Sequence, residues 1–436
     1  MPKMPFLTDE EKRILQGEEG PVKQKCMAYL VDMCQVAGAE RLIDLDGTGD
    51  MHTPGLALSQ HFVITMEEFT EFVEKGGRFA IPTFADKSPF AMCPPVHGWE
   101  NCNICPQGSD KCHSDPVVHA EYMQDDTYKL MRKMGLITTF SCANYLTMSY
   151  LPSVGQHCSW FESSQMPYCN ATLGARTNFD GSLATCILGK APYYDMHITE
   201  NRYGTILVET DRFIKTDLEW DVYGFTVGEA VDVEVPVVTG TSKPTTTQYQ
   251  KFNSASATGG AVRMYHLPGI TPEAPTIEFA AGGKPFKKQI MLDNSALRKT
   301  YDVLNYHTSD DVDMVYLGCP HLNIVDLQQL AYKLEGKKCK IPLWLMTAPW
   351  LYEGAKQLGY LEMFEKAGAH LMSGACLAAI GAVPNGVRNI AVDTAKQAYY
   401  ITGCYPDEND PLQVCYGSQD DCVDAALTGK WRGEWK

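Results

Sequence analysis

Residues 314–348, MVYLGCPHLNIVDLQQLAYKLEGKKCKIPLWLMTA, read as strand, loop, helix and strand in quick succession. MVYLGC is a short apolar run, IVDLQQLAYKLEG carries apolar residues at helical spacing, and IPLWLMTA is again continuous and apolar. The alternation continues: LYEGAKQLGYLEMFEKAG predicts one helix, AHLMSGAC a strand and DCVDAALTG a last helix. Strands separated by helices of this length call for a largely parallel sheet covered on its faces, an α/β architecture. Ligands of such sheets bind outside the carboxyl ends of the strands. Cys319 closes one strand, in LGCPH, and Cys376 closes another, in SGAC.

Upstream, Thr8 and Glu11 have capping-box spacing, and Gly17 supplies a stop for a first short helix. Pro21 opens a second helix that ends near Gly38, with Cys26 and Cys34 on its apolar face. RLIDL (41–45) predicts a strand, MEEFTEFVE (66–74) a helix, and RFAIPTF (78–84) a strand. Residues 86–116 lose all periodicity and are dense in Cys, Pro, Gly and Asn, an irregular excursion. Helical signal returns at 120–134. Residues 138–205 crowd Ser, Asn, Gly, His and Arg among short apolar runs, which suits loops built around a site. DVEVPVVTG (232–240) is β-rich; a Thr/Ser/Gly-rich connection then leads to a strand and loop at 259–275.

A chain of 436 residues predicts two or three domains, here divided into α/β regions at 1–225 and 226–436. A net charge of −16, with no basic run, disfavours binding to a phosphate backbone. No signal-peptide core and no apolar stretch near ~20 residues is present, so the expectation is a cytoplasmic chain with no membrane or nucleic-acid partner. Disulfides are rare in that compartment, so the 16 cysteines are read as core residues, metal ligands or reactive thiols. Cys93, Cys102, Cys105 and Cys112 form a C-x8-C-x2-C-x6-C pattern, with His97 and His113 as substitute ligands. Its C-x2-C knuckle suits a second metal, zinc or iron; the alternative is a loop with incidental thiols.

TTFSCANYL (138–146), GQHCSWFESSQMPYCNATLGARTN (155–178), HITENR (197–202), GGAVRMYHLPGITPEA (259–274), LGCPH, SGAC and NIAVDTAKQAYY (389–400) occur in that order. Together with LTDEEKRILQGEEGPVKQKCMAYLV at 7–31, they resemble the large subunit of aconitase X enzymes. The resemblance implies an aconitase-like, multi-layer α/β/α fold with mostly parallel sheets, and an iron–sulfur-dependent hydro-lyase. It implies that Cys142, Cys319 and Cys376 hold the cluster, whether [4Fe–4S], [3Fe–4S] or [2Fe–2S]. Thiolates select such clusters, and an open iron is a Lewis acid for a substrate hydroxyl.

Elimination of water also needs cations for a carboxylate and groups that handle protons. Arg176 and Arg202 are the carboxylate-clamp candidates, with Thr177 and Asn178 beside the first; a surface salt bridge is the alternative for either arginine. Glu162, Ser163 and Ser164 suit polar positioning, His157 and His197 suit proton relay, and Lys396 falls on a helix after the Cys376 loop. By resemblance the base is a serine on a swivelling small domain. No stretch reads as that domain, so a separate small subunit is the implied partner. Two family activities are open, dehydration of cis-3-hydroxy-L-proline and of 5-phosphomevalonate. Asn144 stands where a proline is expected, and TNFDG departs from the usual run, both near the expected site. The competing readings are an iron–sulfur redox or sensor protein on the same scaffold, and a zinc-stabilised scaffold without catalysis.

Overall fold

The computed structural model describes residues 3–51, 64–85, 126–147, 150–178, 181–374, 386–401 and 412–436. Its centre is a five-stranded, fully parallel sheet in the order Ala369–Ser373, Leu343–Thr347, Met314–Leu322, Asn389–Val392, Gln413–Tyr416. Numbered along the chain, these are the third, second, first, fourth and fifth strands. Strand order therefore reverses between Met314–Leu322 and Asn389–Val392. A crevice opens at the carboxyl ends of two strands related in this way.

Every residue of Met314–Leu322 is buried, as a run of apolar residues in a parallel sheet covered on both faces must be. Alternate side chains divide between two cores. Tyr316, Trp344, Ile390 and Val414 join Trp220 and Phe252 on one face. Val315, Leu317, Leu345 and Ala391 join Leu327, Leu330 and Phe364 on the other. This is the α/β/α layering expected from the alternation. A second parallel sheet orders Pro236–Val238, Ile206–Glu209 and Lys288–Met291. At the N-terminal end, the Thr8–Glu11 capping box opens helix Asp9–Leu15, and Pro21–Ala37 stops at the left-handed Gly38.

The Thr/Ser/Gly-rich connection is the main correction. It contains the helix Thr246–Gly260, buried over most of its length and packed against helix Asp217–Val231. The two backbones nearly touch: a Cβ on Gly260 would lie 1.9 Å from the Gly228 carbonyl oxygen, and one on Gly228 would lie 2.5 Å from that of Ser256. Small residues that read as loop are here the condition for close helix packing. Helix Asp217–Val231 is itself buried nearly all round, so it shows no amphipathic stripe.

Other differences are local. The segment expected as one helix at 351–368 is two, Pro349–Gln357 and Tyr360–Ala367, broken at left-handed Gly359. RFAIPTF contributes only the start of strand Thr83–Ala85, and the strand expected within 259–275 is a single bridge, Val237 to His266. No helix among the described residues is long and apolar enough to cross a membrane.

Candidate active site at the carboxyl edge of the sheet

LGCPH does not leave the sheet as a loop. Strand Met314–Leu322 continues through it, with a register shift between Leu317 and Leu322. Gly318 takes φ +124°, and a Cβ there would lie 2.4 Å from the Met346 carbonyl oxygen. Only glycine fits. The Cys319–Pro320 peptide is cis. The interruption releases Cys319 from the ladder at the switch point, where it is 2% exposed.

Four consecutive residues after the neighbouring strand Asn389–Val392 are each held by a different element. Asp393 receives Lys251 Nζ on its carbonyl (2.5 Å) and on its carboxylate (3.2 Å). Thr394 Oγ1 donates to the Cys319 carbonyl (2.6 Å). The Ala395 N–H donates to Asp221 Oδ2 (2.5 Å). Lys396 Nζ donates to Glu162 Oε1 (2.6 Å). Lys251 and Asp221 lie on the two helices that meet through Gly228 and Gly260. Burial pushes the Asp221 carboxyl up to about 6, against the pull of Lys251, the Tyr416 hydroxyl and the Ala395 N–H. Burial alone would pull Lys251 down, but Asp393 and Asp221 outweigh it and hold the ammonium above its ordinary range.

Glu162 gathers the rest. Ser164 Oγ reaches its Oε1 at 3.1 Å and the Cys142 carbonyl at 3.4 Å, while Ser163 Oγ reaches the same Oε1 at 3.4 Å. Cys142 is 3% exposed, and its neighbour Ser141 meets His321 Nδ1 at 3.1 Å. The Cys142 and Cys319 segments are thus tied to each other by Ser141 and His321, and to Lys396 through Thr394 and Glu162. Burial raises the Tyr145 hydroxyl far above its usual range, with Tyr168, Cys142 and Glu162 adding to the effect. A buried polar frame supports the Cys142 turn: Asn144 Nδ2 and Gln165 Nε2 donate to the two carboxylate oxygens of Asp50 at 2.7 and 3.1 Å.

The remaining predicted residues form a second hydrogen-bonded set. His157 Nδ1 lies 2.9 Å from His197 Nδ1. Arg176 donates to the His197 carbonyl (2.8 Å) and Thr199 Oγ1 (2.9 Å). Partial burial, His197 and Arg176 together depress His157 to about 4. Arg202 is 1% exposed and engaged throughout: Nε and Nη2 grip Glu273, while Nη1 and Nη2 reach Asn170 and the Met196 carbonyl. Thr177 Oγ1 accepts the Trp160 N–H, and Asn178 bonds both Tyr194 and Met196.

Cys376, Cys93, Cys102, Cys105, Cys112, His97 and His113 lie outside the described residues. Among the described residues, no three Cys, His, Asp or Glu side chains converge as a metal group. Sequence reasoning missed Thr394, His321, Ser141, Lys251 and Asp221. The first three sit inside quoted motifs and were within reach. Lys251 and Asp221 meet the site only by packing, across 142 and 174 residues.

Models of the aconitase X first, second and third domains match residues 4–200, 204–302 and 312–428. The phosphomevalonate dehydratase large subunit of Thermococcus kodakarensis is 30% identical over 404 residues, 91% of this chain and 95% of the relative. The cis-3-hydroxy-L-proline dehydratase of Hypocrea jecorina is 29% identical over 440 residues, 97% of this chain but 69% of the relative. The crystal structure of Thermococcus kodakaraensis aconitase X in its holo-form matches with a TM-score of 0.74 at 28% identity, covering 91% of this chain and 95% of that one.

Proposed function

The chain belongs to the aconitase X family and is a hydro-lyase of that type, and on this premise we propose that it is the large subunit of an iron–sulfur dehydratase. Its substrate is a small hydroxy carboxylic acid of the class of cis-3-hydroxy-L-proline or 5-phosphomevalonate, and its compartment the cytoplasm. One observation carries the reading. Two buried cysteines that are not in disulfides, Cys142 and Cys319, are tied through their carbonyls, by Ser164 and Thr394, to the Glu162–Lys396 ion pair at the switch point of a parallel sheet.

That donor set suits an iron–sulfur group: the thiols are soft ligands, and Cys376, three residues beyond the strand Ala369–Ser373 in sequence, is the proposed third. When bound, the group supplies a Lewis acid for the departing hydroxyl. The chain's own residues do the rest. The ion pair with Glu162 fixes the Lys396 ammonium, placing a proton donor inside the crevice. Ser163 and Ser164 hold Glu162 against that ammonium. Arg176, bonded to neutral protein acceptors, keeps charge for a substrate carboxylate, while Arg202 positions the Asn170 turn through Glu273. His157, held neutral, is a weak base and serves as a hydrogen-bond partner beside His197.

The partner is proposed to be a small subunit carrying the swivel domain. Relatives named as large subunits are spanned to 94–98% of their length, whereas the two cis-3-hydroxy-L-proline dehydratases are spanned to 69% and 70%. The test is anaerobic co-purification with the small subunit, followed by iron and sulfide analysis and assay of both hydroxy acids for loss of water. Stoichiometric iron and turnover of one acid are expected; a reconstituted complex that holds no iron–sulfur group would sink the reading. The Cys93, Cys102, Cys105, Cys112 set is proposed as a second zinc or iron site, and C102S/C105S should lower bound metal without emptying the first centre.

A further inference from the structure

Asn253 is 0% exposed and Gln397 is 1% exposed, yet among the described residues neither the nitrogen nor the oxygen of either amide has a hydrogen-bond partner. An amide buried without partners bears the full cost of its desolvation. Such orphans mark a place where something else is meant to bond. Both amides border the site. Helix Thr246–Gly260 places Asn253 one turn beyond Tyr249, whose ring meets Tyr168, which in turn stacks on Tyr145 at 3.8 Å. Three residues before Asn253, Gln250 donates to the His321 carbonyl at 2.9 Å. Asn253 therefore shares the helix face of Tyr249, which leads to the Cys142 turn, and of Gln250, which bonds the strand that carries Cys319. Gln397 directly follows Lys396, and its N–H is held by Thr394 Oγ1 (3.3 Å), the hydroxyl that also binds the Cys319 carbonyl. The two helices that carry the amides pack together.

We propose that Asn253 and Gln397 are substrate-binding residues whose amides complete their hydrogen bonds only on a bound hydroxy acid. The inference rests on the hydro-lyase reading and deepens it. Each amide offers two N–H donors and one carbonyl acceptor without adding charge. Donors suit the carboxylate oxygens, and the acceptor suits a hydroxyl or a ring ammonium. Neutral groups leave the Glu162–Lys396 charge balance intact.

The experiment replaces each amide by an apolar side chain of similar shape, Asn253→Leu and Gln397→Met, in the complex with the small subunit. Thermal unfolding is measured first, then KM and kcat with cis-3-hydroxy-L-proline and 5-phosphomevalonate. Removing an orphaned polar group should leave Tm unchanged or raised, while KM for the accepted acid rises roughly tenfold or more, the equivalent of one or two lost hydrogen bonds. A fall in Tm in both variants would overturn the proposal, because the amides would then be satisfied within the folded chain. So would an unchanged KM in a stable variant. If the wild-type complex turns over neither acid, the dehydratase reading fails separately, and the Tm comparison still decides whether the amides are open to a ligand.

Discussion

Lys396 and Glu162 are 10% and 6% exposed at the side chain, so each offsets part of the cost of burying the other's charge. Lys396→Met removes the ammonium that faces the buried Glu162 carboxylate and should destabilise the chain by about 3–5 kcal/mol. Adding Glu162→Gln should recover most of that stability, read by denaturant unfolding, while dehydratase activity stays lost in both variants. A single variant of wild-type stability would refute the buried pair. His157 offers a pH test. Its folded pKa of about 4 lies below the ordinary 6.5, so between those values the unfolded chain binds a proton that the folded chain refuses. Stability is therefore full above pH 6.5 and falls as pH drops toward about 4. His157→Asn should flatten the slope of Tm against pH in that window; an unchanged slope would assign it to other groups.

The helices Asp217–Val231 and Thr246–Gly260 act as one element, because Gly228 and Gly260 let their backbones meet. Their inward side chains, Asp221 and Lys251, hold the start of the 393–396 segment, whose end carries Lys396 to Glu162. Gly260→Ala puts a methyl where the Gly228 carbonyl stands, and the helices must part. Overpacking of this kind costs about 1–3 kcal/mol, occasionally more. We expect Tm to fall and kcat to fall with it, since the shift is passed to Lys396 by way of Lys251 and Asp393. Loss of Tm with undiminished kcat would show that the helix pair does not set the site.

At the scale of the whole molecule, the crevice between the first and fourth strands of the sheet is the proposed seat of the chemistry, and a small subunit is proposed to close it. Elimination requires a proton to leave carbon as well as a hydroxyl to leave its neighbour. If the base comes from the partner, the large subunit alone should turn over roughly 10² to 10⁴ times more slowly than the complex. Exclusion of water on closure would strengthen every charged contact in the crevice, with the same sign. The measurement is a titration of small subunit into iron-loaded chain at fixed substrate. Full turnover without the partner would move the base onto this chain, with His157 and Lys396 as the first residues to substitute.

The parallel sheet was legible from residues 314–348 and their continuation, because apolar runs between amphipathic helices have few other ways to bury both faces. Capping residues such as Thr8 and stops such as Gly38 were legible for the same local reason. Cys142, Cys319, Glu162 and Lys396 were legible as motif residues, each carrying its chemistry in its side chain. The helix Thr246–Gly260 was not, since Thr, Ser and Gly favour a loop when no partner helix is in view. Nor was the role of Lys251 or Asp221, whose partners lie 142 and 174 residues away. The order of the strands, and with it the switch point that brings Cys319 beside Thr394, was decided only by tertiary packing. Local sequence dictates which faces must be buried; which elements bury them together is settled by the whole chain at once.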